Sequence, residues 1–537
     1  MQKSEGGCIF ISQGGELNMK RLTSSVYSFE KIINEGKLYV DKTEYIWNLI
    51  QDDGSYFLAR PRRFGKSLTV STLEAVFQGR KDLFKGLAIY DKPYDWKKYP
   101  VIHLDFANCM AQTANELEDF IFDKLTMIAA QFGLELQGLS NPTRFEKLIG
   151  DLSKQNPVVV LVDEYDKPIL NNAMSPNVAD ILSALKAFYS TIKIGDGKER
   201  FAFITGVSKF SHVSLFSGMN NPTDLTMSSR YATLLGYTQT EFETYFDEYI
   251  DYAMLKLNLG REEFLQKMKD WYDGYRFSKN AESVYNPVSV AKFFESQELD
   301  FSNYWFETAT PSFLIDYCKH NQFDLENALT NPVPASTFSA YEVDKIHPLA
   351  LFFQTGYLTI KDSYEELGFT FYHLGYPNKE VQSSFEEKLL VAYTELPEGV
   401  SSQFSVNIVV SLKKGDVEAA MQLLKSFYAG FAFKLQEKKE HYYQAIFFAI
   451  FRSLGFSAYA ESPTSDGSID AVVKIDDWIY VFELKLDISA KKALEQIEEK
   501  DYYRKYIMTG KRIMLVGANF DSKTRQLTEW LFKEVKQ

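Results

Sequence analysis

The chain has 537 residues, with 59 Lys and Arg against 72 Asp and Glu, a net charge of −13, a pI near 5.2 and 45% hydrophobic residues. Its length exceeds what one hydrophobic core serves, so about two to four domains are expected, and the acidic balance excludes a basic coat for non-specific nucleic-acid binding while leaving room for a local basic groove. No run of about 18 apolar residues and no basic-then-apolar leader occur, so neither membrane span nor export is expected and the cytoplasm is the default; Cys8, Cys109 and Cys318 are too few and too scattered for a disulfide framework or a thiolate zinc site.

In chain order, residues 1–19, with Gly6-Gly7 and Gly14-Gly15, read as a loose leader. A strand, Tyr56-Phe57-Leu58-Ala59, then runs into Arg60-Pro61-Arg62-Arg63-Phe64-Gly65-Lys66-Ser67, and Leu68 to Phe77 has helical spacing. A phosphate loop of the form G-x-x-x-x-G-K-[ST] wraps phosphates in backbone N–H groups, reaches the β/γ oxygens with its lysine and ligates magnesium with its hydroxyl. Gly65, Lys66 and Ser67 stand in those places and Arg62 and Arg63 flank them, while Arg60 replaces the first glycine and removes one position of free φ. A basic turn opening a helix is the plain alternative.

Val101 to Phe106 reads as a further buried strand, in which His103 is expected to be a satisfied core histidine, and a helix is expected over Asn115–Phe132. Val158-Val159-Val160-Leu161-Val162 is a short apolar run ending in Asp163-Glu164, the pattern of a buried parallel strand with acids at its C-terminal edge, where doubly wound sheets bind ligands. Beside a lysine loop, Asp163 is suited to hold magnesium and Glu164 to polarise an attacking water. The strand Arg200–Gly206 ends near Thr205 and Ser208, candidates to sense a γ-phosphate, and Arg230 is a further cation within the same region.

Beyond Gly236 the spacing turns helical over Glu241–Leu257 and Arg261–Trp271, which suits a lid. Leu349–Gly356, Tyr357–Ile360 and Phe369–His373 form a helix followed by two strands, a winged-helix-like unit without a basic recognition helix and so expected to pack rather than read DNA. From about Lys434 the order is helix, three strands, helix, strand, helix. Ser468–Ile475 and Trp478–Lys485 form a hairpin turning at Asp476-Asp477, with Glu483 and Lys485 on one strand face and Asp470 across from them. Asp470 and Glu483 suit divalent metal, Lys485 suits water activation, Glu440 offers another metal ligand, and Gln444 and Gln496 offer hydrogen bonds. A cross-strand salt bridge is the competing interpretation.

Taken together, Phe64-Gly65-Lys66-Ser67, Asp163-Glu164-Tyr165-Asp166, Gln354-Thr355-Gly356-Tyr357-Leu358, Gly375-Tyr376-Pro377-Asn378 and Asp470 with Glu483-Leu484-Lys485 resemble the bacterial AAA-ATPase-like proteins that carry a C-terminal PD-(D/E)XK nuclease domain. The resemblance implies an α/β protein: a P-loop NTPase core over 20–235, a helical lid over 236–345, a winged-helix-like region and helical linker over 346–433 and a restriction-endonuclease-like α/β domain over 434–537. Its implied cofactors are ATP and Mg²⁺, and its implied partner is nucleic acid, DNA before RNA; a homo-oligomer and a protein partner stay open, and no membrane is involved. The expected function is ATP hydrolysis coupled to metal-dependent cleavage of nucleic acid, against the alternative of a nucleotide-gated scaffold or partner-remodelling ATPase whose terminal domain only binds.

Overall fold

The computed structural model describes the chain except residues 1–6, 13–14, 174, 193–196, 210–221, 306–313, 316–317, 319–324, 326–328, 330, 339–346, 395–397, 430–445, 452–456, 460–470, 502, 525 and 536–537. The chain divides into two compact units, one of residues 1–309 with 333–378 and one of 310–332 with 379–537.

The first unit opens on an antiparallel pair, β1 (Gly7–Ser12) and β2 (Gly15–Lys20). The expected loose leader is thus a hairpin at its C-terminal part, and Met19 is fully buried. A short strand's pairing partner leaves no periodicity to read, which is why glycine content alone misjudged it. The core sheet contains β3 (Gly54–Ala59), β4 (Val101–Asp105), β5 (Val158–Asp163), β6 (Glu199–Gly206) and β7 (Thr223–Asp224) in the order β4-β5-β6-β3-β7, every pair parallel. All six residues of β5 are buried, as a strand covered on both faces requires. Register brings Ala59 level with Gly206 and Asp105 level with Asp163, so the loop after β3, the acids after β5 and the tip of β6 share one edge.

Helices Gln239–Tyr245, Asp247–Leu257, Arg261–Tyr272 and Pro287–Glu295 build a second core in this unit around Phe242, Phe246, Phe264, Tyr272 and Phe293, with Met19 in it. The first starts at a full capping box of Thr238 and Glu241. Farther along, the helix Pro348–Thr355 is followed by β9 (Thr359–Glu366) and β10 (Phe369–Gly375), which pair with the short β8 (Val333–Pro334) in the order β8-β10-β9, the helix-and-hairpin order expected of a winged-helix-like region. The Gly375-Tyr376-Pro377-Asn378 run is explained by packing here: Asn378 Nδ2 donates to Asp273 O at 2.7 Å, and a Cβ at Gly274 would lie 2.1 Å from Pro377 O.

In the second unit, helices Lys379–Thr394, Glu398–Lys413 and Val417–Ala429 share a core with the terminal sheet, through Leu390, Ile408, Leu424 and Phe427 against Tyr480, Phe482 and Val516. The stretch from 379 to 433, expected as linker, therefore packs with the terminal domain as far as it is described. The sheet runs β11 (Ser457–Tyr459), β12 (Ala471–Ile475), β13 (Trp478–Leu486), β14 (Arg512–Asp521) and β15 (Gln526–Glu534) in sequential order. Only β13 and β14 are parallel among these pairs, joined by the crossover helix Ala490–Glu499. The expected hairpin is present, turning at Asp476 with φ 46. The expected last helix is instead β15, antiparallel to β14. Its run of Trp530, Leu531 and Phe532 satisfies helical and edge-strand spacing alike, and pairing with β14 decides the matter.

Candidate functional site

The phosphate loop leaves β3 and enters the helix Lys66–Phe77 through Gly65, whose φ of 97 is left-handed and whose missing Cβ would meet nothing within 4 Å. An open glycine cradle ahead of unpaired helix N–H groups fits a phosphate. Arg63 takes the other positive φ of the loop, 69, in a family of conformations that costs a non-glycine residue energy. Its guanidinium bonds the Tyr27 hydroxyl and lies over that ring.

Arg60, in the place of the first glycine, turns inward instead of facing a ligand. It is 1% exposed, donates to Ala59 O at 2.9 Å, Thr226 O at 2.6 Å and Tyr231 O at 3.2 Å, and lies 4.2 Å over the Phe277 ring. Burial pulls its pKa down to about 9, which keeps it cationic at neutral pH. Arg60 therefore pins the loop to the segment after β7, a role that a glycine cannot fill. Arg62 is half-buried, and its carbonyl accepts the Trp305 indole N–H at 3.0 Å.

Lys66 is buried and its Nζ donates to Arg60 O and Pro61 O, both at 3.0 Å. Burial lowers its pKa, and the charges of Glu164, Asp163 and Asp166 pull it back up. Asp163, 4% exposed at the end of β5, lies above the usual carboxylate range because of burial; the Ser67 hydroxyl, donating to it, and the Lys66 ammonium oppose that rise. Lys66, Ser67 and Asp163 are thus brought together, and this lysine, hydroxyl and acid are the donor set that a nucleotide with magnesium needs. Glu164 is half-buried beside them with φ 50, its N–H donating to Asp163 Oδ1 at 2.9 Å.

Thr205 and Ser208 lie at the β6 tip, but their hydroxyls are committed inside the fold. Thr205 Oγ1 donates to Leu58 O at 2.8 Å and Ser208 Oγ to Asp166 Oδ2 at 2.7 Å, and both residues are fully buried. The γ-phosphate sensing expected of them has no exposed hydroxyl behind it. Asp166, which the sequence offers only as the last residue of the acidic run and without a role, accepts from Val207 N, Ser208 N and Ser208 Oγ and so ties the acidic turn to the β6 tip. Its position three after Asp163 was the available signal. Gly206 belongs to this joint, since a Cβ there would lie 2.4 Å from Asp166 Oδ1. Arg230 donates to Asn48 Oδ1 at the surface; His103 pairs through Nδ1 with Glu74 Oε2 at 3.1 Å, while its Nε2 is buried without a hydrogen-bond partner, so the expected satisfied core histidine is satisfied on one side.

Beside the loop lies a cavity of about 110 Å³, lined among others by Val26, Tyr39, Gly65, Thr69, Leu235 and Tyr237. Its largely apolar wall next to the glycine cradle suits a planar heterocycle attached to the phosphates.

In the second unit, the odd residues of β13 face the crossover helix, which puts Glu483 and Lys485 beneath it. Glu483 is fully buried; Lys485 Nζ lies 2.7 Å from its Oε1, and Gln496 Nε2 of the helix donates to the same oxygen. Gly517, level with Glu483 on β14, permits this closeness, because a Cβ there would lie 2.5 Å from Ala490 O and Leu494 N. Asp470, Glu440 and Gln444 lie outside the described residues; β12 begins at Ala471, paired with Phe482. Among the described residues no group of three His, Cys, Asp or Glu could hold a metal, Glu483 being the carboxylate that the described part contributes. Also among them, no helix is long and apolar enough to cross a membrane.

Residues 24–216 match the family described as a predicted AAA-ATPase, and residues 438–530 match the PD-(D/E)XK nuclease superfamily. The chain is 36% identical over 535 residues to an uncharacterized protein in the vnfD 5′ region of Azotobacter chroococcum mcd 1, over 97% of this chain and 100% of that protein. A solved structure of the Aeropyrum pernix ORC2 protein (ADPNP–ADP complexes) aligns with 62% of this chain and 86% of its own at 12% identity and a TM-score of 0.23, and no function is transferred from it.

Proposed function

Since the chain belongs to the bacterial AAA-ATPase-like proteins with a C-terminal PD-(D/E)XK nuclease domain, we propose that it binds and hydrolyses ATP with magnesium in its first unit and cleaves nucleic acid, DNA before RNA, in its second, with nucleotide state licensing cleavage. The observation that carries the first half is the meeting of Lys66, Ser67 and Asp163 at one edge of a parallel sheet. ATP with magnesium, when bound, would supply the phosphoryl group and the counter-charge for its transfer. Lys66 would exchange the Arg60 and Pro61 carbonyls for phosphate oxygens, Ser67 and Asp163 would hold the metal, Arg62 and Arg63 would offset phosphate charge, and Glu164 would orient water.

In the second unit, Glu483 with Asp470 would hold the divalent ion, with Glu440 as a further ligand, and such an ion polarises a phosphodiester and its attacking water. Lys485 is held beside Glu483, where it can orient that water, and Gln496 keeps the carboxylate in place. The full burial of Glu483 also favours a second reading, in which Glu483, Lys485 and Gln496 brace a domain that only grips its partner.

One experiment separates these readings: labelled single- and double-stranded DNA and RNA incubated with the full chain and Mg²⁺, with and without ATP, beside Lys66→Ala and Glu483→Gln. The proposal expects ATP-dependent cleavage that both substitutions abolish. Hydrolysis of ATP without cleavage of any substrate selects the gripping domain, and cleavage untouched by Lys66→Ala removes the coupling.

A further inference from the structure

The Gln354–Leu358 run carries the family resemblance but has no part in the chemistry described so far. It is the C-terminal end of the helix Pro348–Thr355, closed by Gly356 in the left-handed conformation at φ 92, and it lies in the same unit as the phosphate loop. Gln354 is buried, and its Oε1 accepts the Lys209 backbone N–H at 2.9 Å. Lys209 follows Ser208, which Asp166 holds to the acidic turn. Two residues on, Gly356 sits against the phosphate loop: a Cβ there would lie 2.6 Å from Pro61 Cβ. Trp305, whose indole N–H holds Arg62 O, packs on Tyr357 with ring centroids 5.1 Å apart.

One short segment therefore reaches both halves of the proposed nucleotide site, the loop through Pro61 directly and Arg62 by way of Trp305, and the acidic side through Lys209. Those halves leave β3 and β5, which lie on either side of β6, and they must keep their spacing to well under about 1 Å while Lys66 lets go of the Arg60 and Pro61 carbonyls.

We propose that Gln354 and Gly356 are positioning residues for ATP hydrolysis: Gln354 sets the β6 tip and, through Asp166, the acidic turn, while Gly356 gives Pro61 the room its loop needs to take phosphate. The proposal rests on the ATPase reading of the first unit. It assigns the helix-and-hairpin region a task at the nucleotide, in place of the groove reading that winged helices perform elsewhere.

The test uses the full chain as wild type, Gln354→Met, Gln354→Glu and Gly356→Ala, with ATP turnover, titration of a fluorescent ADP analogue and thermal melts. Gln354→Met, similar in size without the acceptor, should lower kcat by about 10-fold or more while analogue affinity stays within about 3-fold. Gln354→Glu keeps an acceptor for the Lys209 N–H and should recover most of the rate. Gly356→Ala should show the opposite split, with affinity falling first because the loop is displaced. Wild-type turnover in Gln354→Met overturns the proposal, as does parallel loss of rate, affinity and melting temperature in both Gln354 variants. If the wild type neither binds the analogue nor hydrolyses ATP, the ATPase reading fails and the positioning role falls with it; an active wild type matched by an equally active Gln354→Met isolates failure of the positioning role alone.

Discussion

Asp163 and Glu483 both sit near the end of a buried strand, 4% and 0% exposed, yet they are held in opposite ways. Asp163 depends on partners from far along the chain: the Ser67 hydroxyl and the Lys66 ammonium reach it only because β6 places the phosphate-loop strand and the acidic strand in one sheet. Glu483 depends on its neighbours, Lys485 on its own strand and Gln496 on the helix that follows. The first site is assembled by strand order, and under the proposed function its lysine would exchange partners on binding nucleotide. The second draws Lys485 and Gln496 to one oxygen, Glu483 Oε1, from nearby in the chain, and resembles a buried ion pair, whose members are costly to separate because each alone would be a desolvated charge.

This contrast is most exposed to Lys485→Met, which leaves the wholly buried Glu483 carboxylate without its cation and should destabilise the second unit by about 3–5 kcal/mol in urea unfolding, with Glu483→Gln in the same chain restoring most of the loss. An unchanged midpoint in the single variant would mean that Gln496 alone suffices and that the two acids are not held differently. Lys66→Ala should do the reverse. ATP turnover is expected to fall about 100-fold or more, with little change in stability, because the lysine is desolvated and its charge is disfavoured where it lies. A matching loss of stability would make Lys66 a structural cation like Arg60.

A smaller effect is expected of Asp166→Asn, which weakens the acceptance of Val207 N, Ser208 N and Ser208 Oγ. About 1–3 kcal/mol of stability should be lost, and turnover should fall with it, whereas the buried acid of the second unit should be unaffected. Nuclease-domain unfolding that moves along with it would show that the two sites are not energetically separate.

The smallest effects concern pH. Burial raises the Asp163 pKa, so the carboxylate needed for turnover is lost as pH falls through a value above the ordinary Asp range of about 3.9. Ser67→Ala removes a hydrogen bond that opposes this rise and should move the acid limb of kcat/KM to higher pH; a limb that stays in place would assign it to another group. The stability linked to Asp163 runs the opposite way: it is fully present below the unfolded pKa and lost as pH rises through the raised folded one. Asp163→Asn should therefore unfold at higher urea than wild type at neutral pH.

Much of both sites was legible because short-range rules govern them. Gly65-Lys66-Ser67 marks a helix entered through a left-handed glycine, and strand alternation alone puts Glu483 and Lys485 on one face, with the Asp476-Asp477 turn setting the hairpin register. Gln496 was foreseeable too, since a helix after an acidic parallel strand must return across it. The fate of Arg60 was not, because whether an arginine faces a ligand or the interior depends on carbonyls at Thr226 and Tyr231 that only the fold brings near. Thr205 and Ser208 misled for the same reason: their position at a strand tip was right, and their hydroxyls found partners within the fold.

By itself the sequence determined the elements, the lysine loop, the acidic strand ends and the presence of two α/β units, since all of these follow from local periodicity and residue chemistry. The tertiary structure decided the rest. It placed β6 between β3 and β5, turned the last segment from helix to strand, joined the helices after 378 to the terminal sheet, and brought Gln354 to Lys209 after the β6 tip and Gly356 to Pro61 in the loop after β3. These are outcomes of long-range pairing and packing, in which the same local pattern is compatible with several partners and the burial of apolar faces and backbone polar groups selects one.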